Sequence, residues 1–397
     1  MKKTVLLFTL LVSIFSIQLK AQENTFEIYG FVMSDMGYDF KTVNPDWYDV
    51  LRPTKLPSFE GEFAPDGKVF FGVRQTRFGV KSFTPTPLGD LKTTFEFNLF
   101  GTGADAGQTT FRLRHAYGEL GKFGAGQTWS AFMDSDVFPN IIEYNGPPGM
   151  VWYRNIQVRY MPIQGVSRLT FALEKPGGSA DDGEYSDRVE LEGTRSQFYF
   201  PDLTGQYRYG DDWGYVQLSG IVKSLRWVDP TEDTLSLDGS AVGWGGNLSS
   251  NINITENDKL ILNLVYGEGI ENYMNDAPAD IGLDTLFSGR TATRPIKRIA
   301  LPVTGIVSFL NHSWSKYFTS SVGYSMINID NSNAQLPIAF KRGQYVIANL
   351  LYYPVPSFMA GVEYQWGERQ NKGGFISTDT KIQFSVKANF SKIFSFK

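Results

Sequence analysis

The sequence predicts an all-β chain, a 16-stranded antiparallel transmembrane β-barrel with short periplasmic turns and long extracellular loops. Three observations carry this expectation. Apolar and polar residues alternate with period two along much of the chain, the mark of strands whose two faces meet different surroundings. Beyond the N-terminal segment, no stretch approaches the roughly 18 apolar residues of a membrane helix. The connections between alternating segments switch regularly between short and long, as they do when the two rims of a barrel face different compartments.

Residues 1–21 read as a signal peptide. Lys2 and Lys3 precede the apolar stretch Thr4–Ile17, and small Ala21 offers a cleavage site. Its removal takes three of the 37 basic side chains and none of the 41 acidic ones, so the exported chain is more acidic than the formal net charge of −4. A general nucleic-acid binder would need the opposite balance. The absence of cysteine excludes a disulfide framework, a Cys-ligated zinc site, a thiol nucleophile and a lipid-anchored N-terminus. Two histidines, His115 and His312, are too few for a His-based metal cage. No metal and no cofactor are expected.

The sixteen strands fall at about 26–38, 68–80, 91–100, 109–119, 121–128, 154–161, 168–174, 203–209, 213–225, 239–253, 258–267, 302–314, 316–328, 342–353, 357–368 and 379–390. The last shows the pattern best. Ile382, Phe384, Val386, Ala388 and Phe390 alternate with Lys381, Gln383, Ser385, Lys387 and Asn389. Long connections fall at 39–67, 101–108, 129–153, 175–202, 226–238, 268–301, 329–341 and 369–378, with short ones between. Residues 22–397 are thus one barrel domain, and an even strand number puts both termini on the short-turn side. Trp and Tyr near strand ends, including Trp314 beside His312, suit interfacial aromatic girdles.

The candidate site lies in the first third. A charged side chain facing lipid at mid-depth costs about 2–4 kcal/mol, so charged residues take the inner face. This rule turns Arg77, Arg112, Arg114 and Arg159 inward, with Glu96, Asn98 and Gln157, and sets Arg154 at a loop–strand junction. Strict alternation places Phe111, Leu113, His115 and Tyr117 on the outer face. Arg74 falls on the outward parity and is expected at a bulge, a rim or a subunit interface. Several guanidiniums on one wall of a pore select anions, and their planar forks suit carboxylates and phosphates. The competing expectation is a set of Arg–Glu pairs that merely fill the lumen, with Glu96 one partner. Loop 129–153 carries Trp129, Asp134, Asp136 and Glu143 and leaves through Gly146-Pro147-Pro148-Gly149. Folded inward, it would set acids opposite the arginines and constrict the passage; the other reading is an external cap.

Arg77-Phe78-Gly79, Leu113-Arg114-His115-Ala116-Tyr117 and Gly126-Gln127-Thr128-Trp129-Ser130 resemble the DcaP-like family among the trimeric diffusion porins of Gram-negative outer membranes. The specific likeness covers roughly residues 70–160. It implies trimers and uptake of small organic anions, dicarboxylates among them. It also implies that Arg77, Arg114 and Arg154 are eyelet arginines and that Asp134 or Asp136 is the facing loop acid. The chain departs from the pattern at Asn98, where an acid is expected, and at terminal Lys397.

The expected partners are small anionic solutes, the lipid and lipopolysaccharide of the outer membrane, and two further copies of the chain. Three other classes compete. A soluble secreted glycan-binding β-protein would need no detergent. A barrel enzyme of the phospholipase type would need a nucleophile and an orienting partner beside His115. A channel for hydrophobic substrates would favour an apolar lumen.

Overall fold

The computed structural model describes residues 23–230, 237–285 and 296–396. The expected signal peptide lies outside them. Sixteen antiparallel strands form a closed barrel. They are β1 (Asn24–Asp39), β2 (Lys68–Gly72, resumed as Arg77–Thr86), β3 (Gly89–Phe100), β4 (Thr109–Leu120), β5 (Phe123–Trp129), β6 (Arg154–Ile163), β7 (Arg168–Glu174) and β8 (Asp202–Asp211), followed by β9 (Gly214–Val228), β10 (Gly239–Asn253), β11 (Asp258–Glu268), β12 (Pro302–Ser313), β13 (Phe318–Ile329), β14 (Phe340–Val355), β15 (Phe358–Asn371) and β16 (Ile376–Phe396). β1 closes the ring against β16, from Asn24 opposite Phe396 to Asp39 opposite Lys381. The last strand runs past the clean alternation to Phe396, paired with β1 along that length.

Side chains follow the pleat. Along β9, Tyr215, Gln217, Ser219, Ile221 and Lys223 are buried, while Val216, Leu218 and Val222 are exposed on the outer face. Aromatic pairs such as Phe123–Tyr160 and Phe318–Tyr352 flank the short-turn rim, with ring centroids 5.0 and 4.9 Å apart. The long loops leave the other rim, and there residues 180–181, 281–285 and 296–300 form a small additional sheet.

The lumen is not uniformly polar. Loop 130–153 and loop 40–67 both turn inward and bury apolar side chains against the wall from β9 to β15. Phe132, Met133 and Val151 pack with Ile221, Val265 and Ile327. Val43, Leu51 and Leu56 of the first loop join Val137 and Met150 of the second against Ile261, Phe309 and Tyr345. Each large side chain so buried contributes about 1.5–3 kcal/mol, enough together to hold two loops inside the barrel. Polar anchors fix the position. The Ile142 and Glu143 amides donate to the Glu363 carboxylate at 2.9 Å each, and Gly149 N–H donates to Ser325 Oγ at 2.9 Å.

Two irregularities depart from strict alternation. Residues 73–76 interrupt β2, and there Arg74 turns inward, fully buried, bonded to Asp49 and to the Gly101 carbonyl. A β-bulge interrupts the β3–β4 ladder: Glu96 faces His115, but Phe97 faces Leu113, so Arg114 has no partner residue. One extra residue flips the parity beyond it. Phe111 and Leu113 remain outside, whereas His115 and Tyr117 point inward, which corrects their expected outer placement. His115 Nδ1 sits 3.0 Å from Thr128 Oγ1, and its ring lies edge-on to Trp129.

Candidate functional site: a cation-lined passage

The inward loops fill the β9–β15 side of the lumen and leave space along the opposite wall. A cavity of about 670 Å³ lies there, between the loop residues Phe138, Asn140, Ile141 and Tyr144 and the wall formed by β1 to β6 and β16. Arg77, Arg112, Arg114, Arg154 and Lys387 all line it. Arg52, from the first loop, joins them at the long-loop end but is paired with Asp276 at 2.8 Å.

Glu96 organises this wall. Its carboxylate accepts from Arg114 Nε at 2.6 Å and from the Tyr29 hydroxyl at 2.9 Å, and Arg77 Nε lies 3.6 Å away. Tyr29, Gly79 and Glu96 stand opposite one another on three successive strands. The Tyr29 ring crosses Gly79 to reach Glu96, and a Cβ at Gly79 would sit 2.4 Å from that ring. Glycine is required by this close approach. One carboxylate thus serves two guanidiniums and leaves a net positive charge.

Aromatic faces hold the other cations. Arg154 lies 4.6 Å and Arg114 5.5 Å from the Trp129 ring centroid, and Arg77 and Lys387 lie 5.2 and 5.4 Å from that of Phe31. Such contacts orient a cation without neutralising it. Arg112, opposite Asn98 on the neighbouring strand, is exposed. Buried Asn98 donates to the Tyr144 hydroxyl at 3.0 Å. Where an acid was expected, an amide leaves the positive charge intact.

The loop acids do not face the arginines. Arg208 on β8 forks onto both of them, with Nη2 2.5 Å from Asp134 and Nη1 2.5 Å from Asp136. Tyr215 and Ser249 add hydroxyl donors to Asp134 at 2.8 and 2.6 Å, and Arg168 lies 3.2 Å from Asp136. Asp134 is 2% exposed and anchors the loop rather than lining the passage. The reason is desolvation: a carboxylate buried in the packed lumen settles on the cation available there. The same cations hold the Asp136 carboxyl below the usual carboxylate range. Glu143, the one acid among the cavity-lining residues, is itself buried, accepts from the Gly146 amide at 2.6 Å, and is pushed up to about 7 by burial. Expected facing acids are thus absent from the passage, and no transverse field arises from them.

Gln157 and Arg159 point inward, as alternation expects, but they brace the wall instead of lining the cavity. The Gln157 amide donates to the Thr128 and Trp129 carbonyls, while Arg159 donates to Gln157 Oε1 and the Trp129 carbonyl. Glu96 is likewise covered by its partners. Sequence reasoning passed over Lys387 although its alternation with Val386 and Ala388 marks it as inward. Tyr29, Phe31 and Arg208 carried no signal of their own.

The family model described as DcaP outer membrane protein matches residues 13–390. The chain belongs to the DcaP outer membrane protein family. The outer membrane channel DcaP of Acinetobacter baumannii superposes with a TM-score of 0.77 at 20% identity, over 93% of this chain and 98% of that one. An anion-selective porin from Comamonas acidovorans gives a TM-score of 0.60 at 10% identity, covering 93% and 100%. The trimer form of Vibrio cholerae OmpT gives 0.54 at 12%, covering 93% and 100%. At these identities the likenesses speak for the fold. A comparison with curated proteins finds no match. Family and fold together make this DcaP-family chain an outer-membrane channel protein of the porin type.

Proposed function

We propose that this DcaP-family protein is a trimeric porin that passes small hydrophilic solutes down their gradients and prefers anions, small mono- and dicarboxylates above others. The observation that carries the reading is the charge of the cavity wall. Six basic side chains line it beside one buried carboxylate; Asp276 pairs with Arg52, and Glu96 offsets only part of the remaining excess. A cationic constriction concentrates anions and replaces part of their hydration. Planar guanidinium forks match carboxylate geometry. Sites for an ion in transit must also release it, and solvent beside the guanidiniums keeps each contact weak. The trimer form of a structural neighbour supports the assembly. Lipid and lipopolysaccharide surround the barrel, and the signal peptide is cleaved on export.

Single-channel recording of detergent-purified protein in a planar bilayer tests the reading. Succinate added to a chloride bath is expected to lower or interrupt the chloride current, and an equal concentration of a neutral sugar to leave it unchanged. Equal effects of the two would overturn carboxylate preference.

A further inference from the structure

The loop segment that brings Tyr144 to the passage is held on both sides. Ahead of it, the Ile142 and Glu143 amides sit on the Glu363 carboxylate. Behind it, the Asn275 side-chain amide donates to the Asn145, Gly146 and Pro147 carbonyls at 2.8, 3.3 and 2.9 Å. The Tyr144 ring lies on Phe100, with centroids 3.4 Å apart and planes 5° from parallel. The Arg74 guanidinium, 4.1 Å from the Phe100 ring centroid, extends the stack. These contacts hold the half-buried phenol against the cavity that Arg77, Arg114 and Arg154 line from the wall.

The direction of one hydrogen bond sets what this phenol can do. Asn98 stands on β3 between Arg77 of β2 and Arg112 of β4. The β3–β4 ladder is irregular again between Asn98 and Phe100, and there the Phe100 amide donates to Asn98 Oδ1 at 3.4 Å. An amide whose oxygen is taken turns its nitrogen the other way, and Asn98 Nδ2 donates to the Tyr144 hydroxyl at 3.0 Å. A hydroxyl carries one proton and can accept as well as donate. Because the Tyr144 oxygen accepts here, its own proton is left over, and among the described residues no acceptor is bonded to it. A carboxylate at position 98 could only accept, so it would take that proton and leave the phenol without one to offer.

A free hydroxyl proton facing an arginine wall adds to the site without adding charge. The guanidiniums attract any anion. The phenol can add a hydrogen bond to an ionised oxygen, which is short and strong. A carboxylate has two oxygens and about four acceptor positions, so one bound to a guanidinium fork keeps positions for a further donor.

We propose that Tyr144, directed by Asn98, is a specificity-determining residue of the passage: its hydroxyl donates to carboxylates in transit and lengthens their stay, and it takes no part in the choice between anions and cations. This rests on the carboxylate-preferring porin reading and adds to it a donor on the loop side.

The succinate concentration that halves the single-channel chloride current is measured for the unmodified protein, Tyr144→Phe, Asn98→Asp and the double variant. Reversal potential is recorded for each, with heat-modifiable mobility as the check on folding. Tyr144→Phe keeps the ring on Phe100 and removes only the hydroxyl. The expected result is a block about tenfold weaker, the size of one hydrogen bond to an ionised group, at an unchanged reversal potential. In the Asn98→Asp background Tyr144→Phe should leave the block as it was, because the new carboxylate already holds the proton. A block that survives Tyr144→Phe in folded protein would overturn the proposal and leave the anion preference standing. A reversal potential that Tyr144→Phe moves toward the potassium value would overturn it too, since the hydroxyl would then act by placing the arginines. Equal losses in both backgrounds would overturn the role of Asn98. A succinate concentration series that never blocks the unmodified channel overturns the carboxylate reading, and the proposal with it.

Discussion

Replacing Arg77 and Arg114 together by alanine perturbs the passage where its charge is set. The wall carries Arg77, Arg112, Arg114, Arg154 and Lys387, with Glu96 shared by two of them. The double variant removes two cations and leaves Glu96 bonded to the Tyr29 hydroxyl alone. A unit charge about 6 Å from a permeating ion in watery surroundings is worth about 0.7 kcal/mol. Screening at physiological salt reduces this to about 0.33 kcal/mol. Each lost cation stops favouring anions and stops opposing potassium, so two cations shift the chloride-to-potassium ratio by about 1.3 kcal/mol, on the order of tenfold. The uncovered Glu96 carboxylate adds to the shift. The assay is the reversal potential across a salt gradient, repeated at low and high ionic strength, with heat-modifiable mobility as the control for folding. The shift should shrink as salt rises. An unchanged reversal potential in a folded double variant would refute the assignment of this wall as the selectivity element.

Further outcomes follow from the same contacts. Arg208→Ala strips Asp134 and Asp136 of their buried partner, a loss of about 3–5 kcal/mol for a buried pair; the expected result is a loosened loop, seen as noisier open-channel current and faster proteolysis within 130–153. Gly79→Val drives the Tyr29 ring from Glu96, and a lower thermal midpoint with a modest change in ion preference is expected. Glu143 is held up to about 7 in the fold by burial, beside Glu363 and opposed by Lys381. Its stabilising contribution is therefore largest below the ordinary glutamate range and is lost as pH rises from there through 7, with a slope of up to about 1.4 kcal/mol per pH unit. Thermal unfolding in detergent should follow that decline, and Glu143→Gln should flatten it.

Much of the barrel could be read from residue order alone, because lipid on one side and water or packed loops on the other force a period of two. Ile156, Val158 and Tyr160 outside, with Asn155, Gln157 and Arg159 inside, show the rule at work. It fails where an extra residue enters. The bulge at Arg114 turns His115 and Tyr117 inward, and the only trace of it in the sequence is the adjacent polar pair Arg114-His115. The dry half of the lumen was also hidden. Ile261, Val265 and Phe309 face inward against loop residues such as Leu51 and Phe132, and a pattern of alternation says which face a residue takes but not what fills the space beyond it. For the same reason Asp134 and Asp136 could be placed on the inward loop but not on Arg208, some seventy residues away in sequence.

The central claim is that the excess positive charge of the cavity wall sets the ion preference of the passage. The reversal potential of the unmodified protein in a planar bilayer, measured across a tenfold potassium chloride gradient, tests it most directly. The account predicts a potential displaced toward the chloride equilibrium value, more strongly at low salt. Displacement toward the potassium value would contradict it.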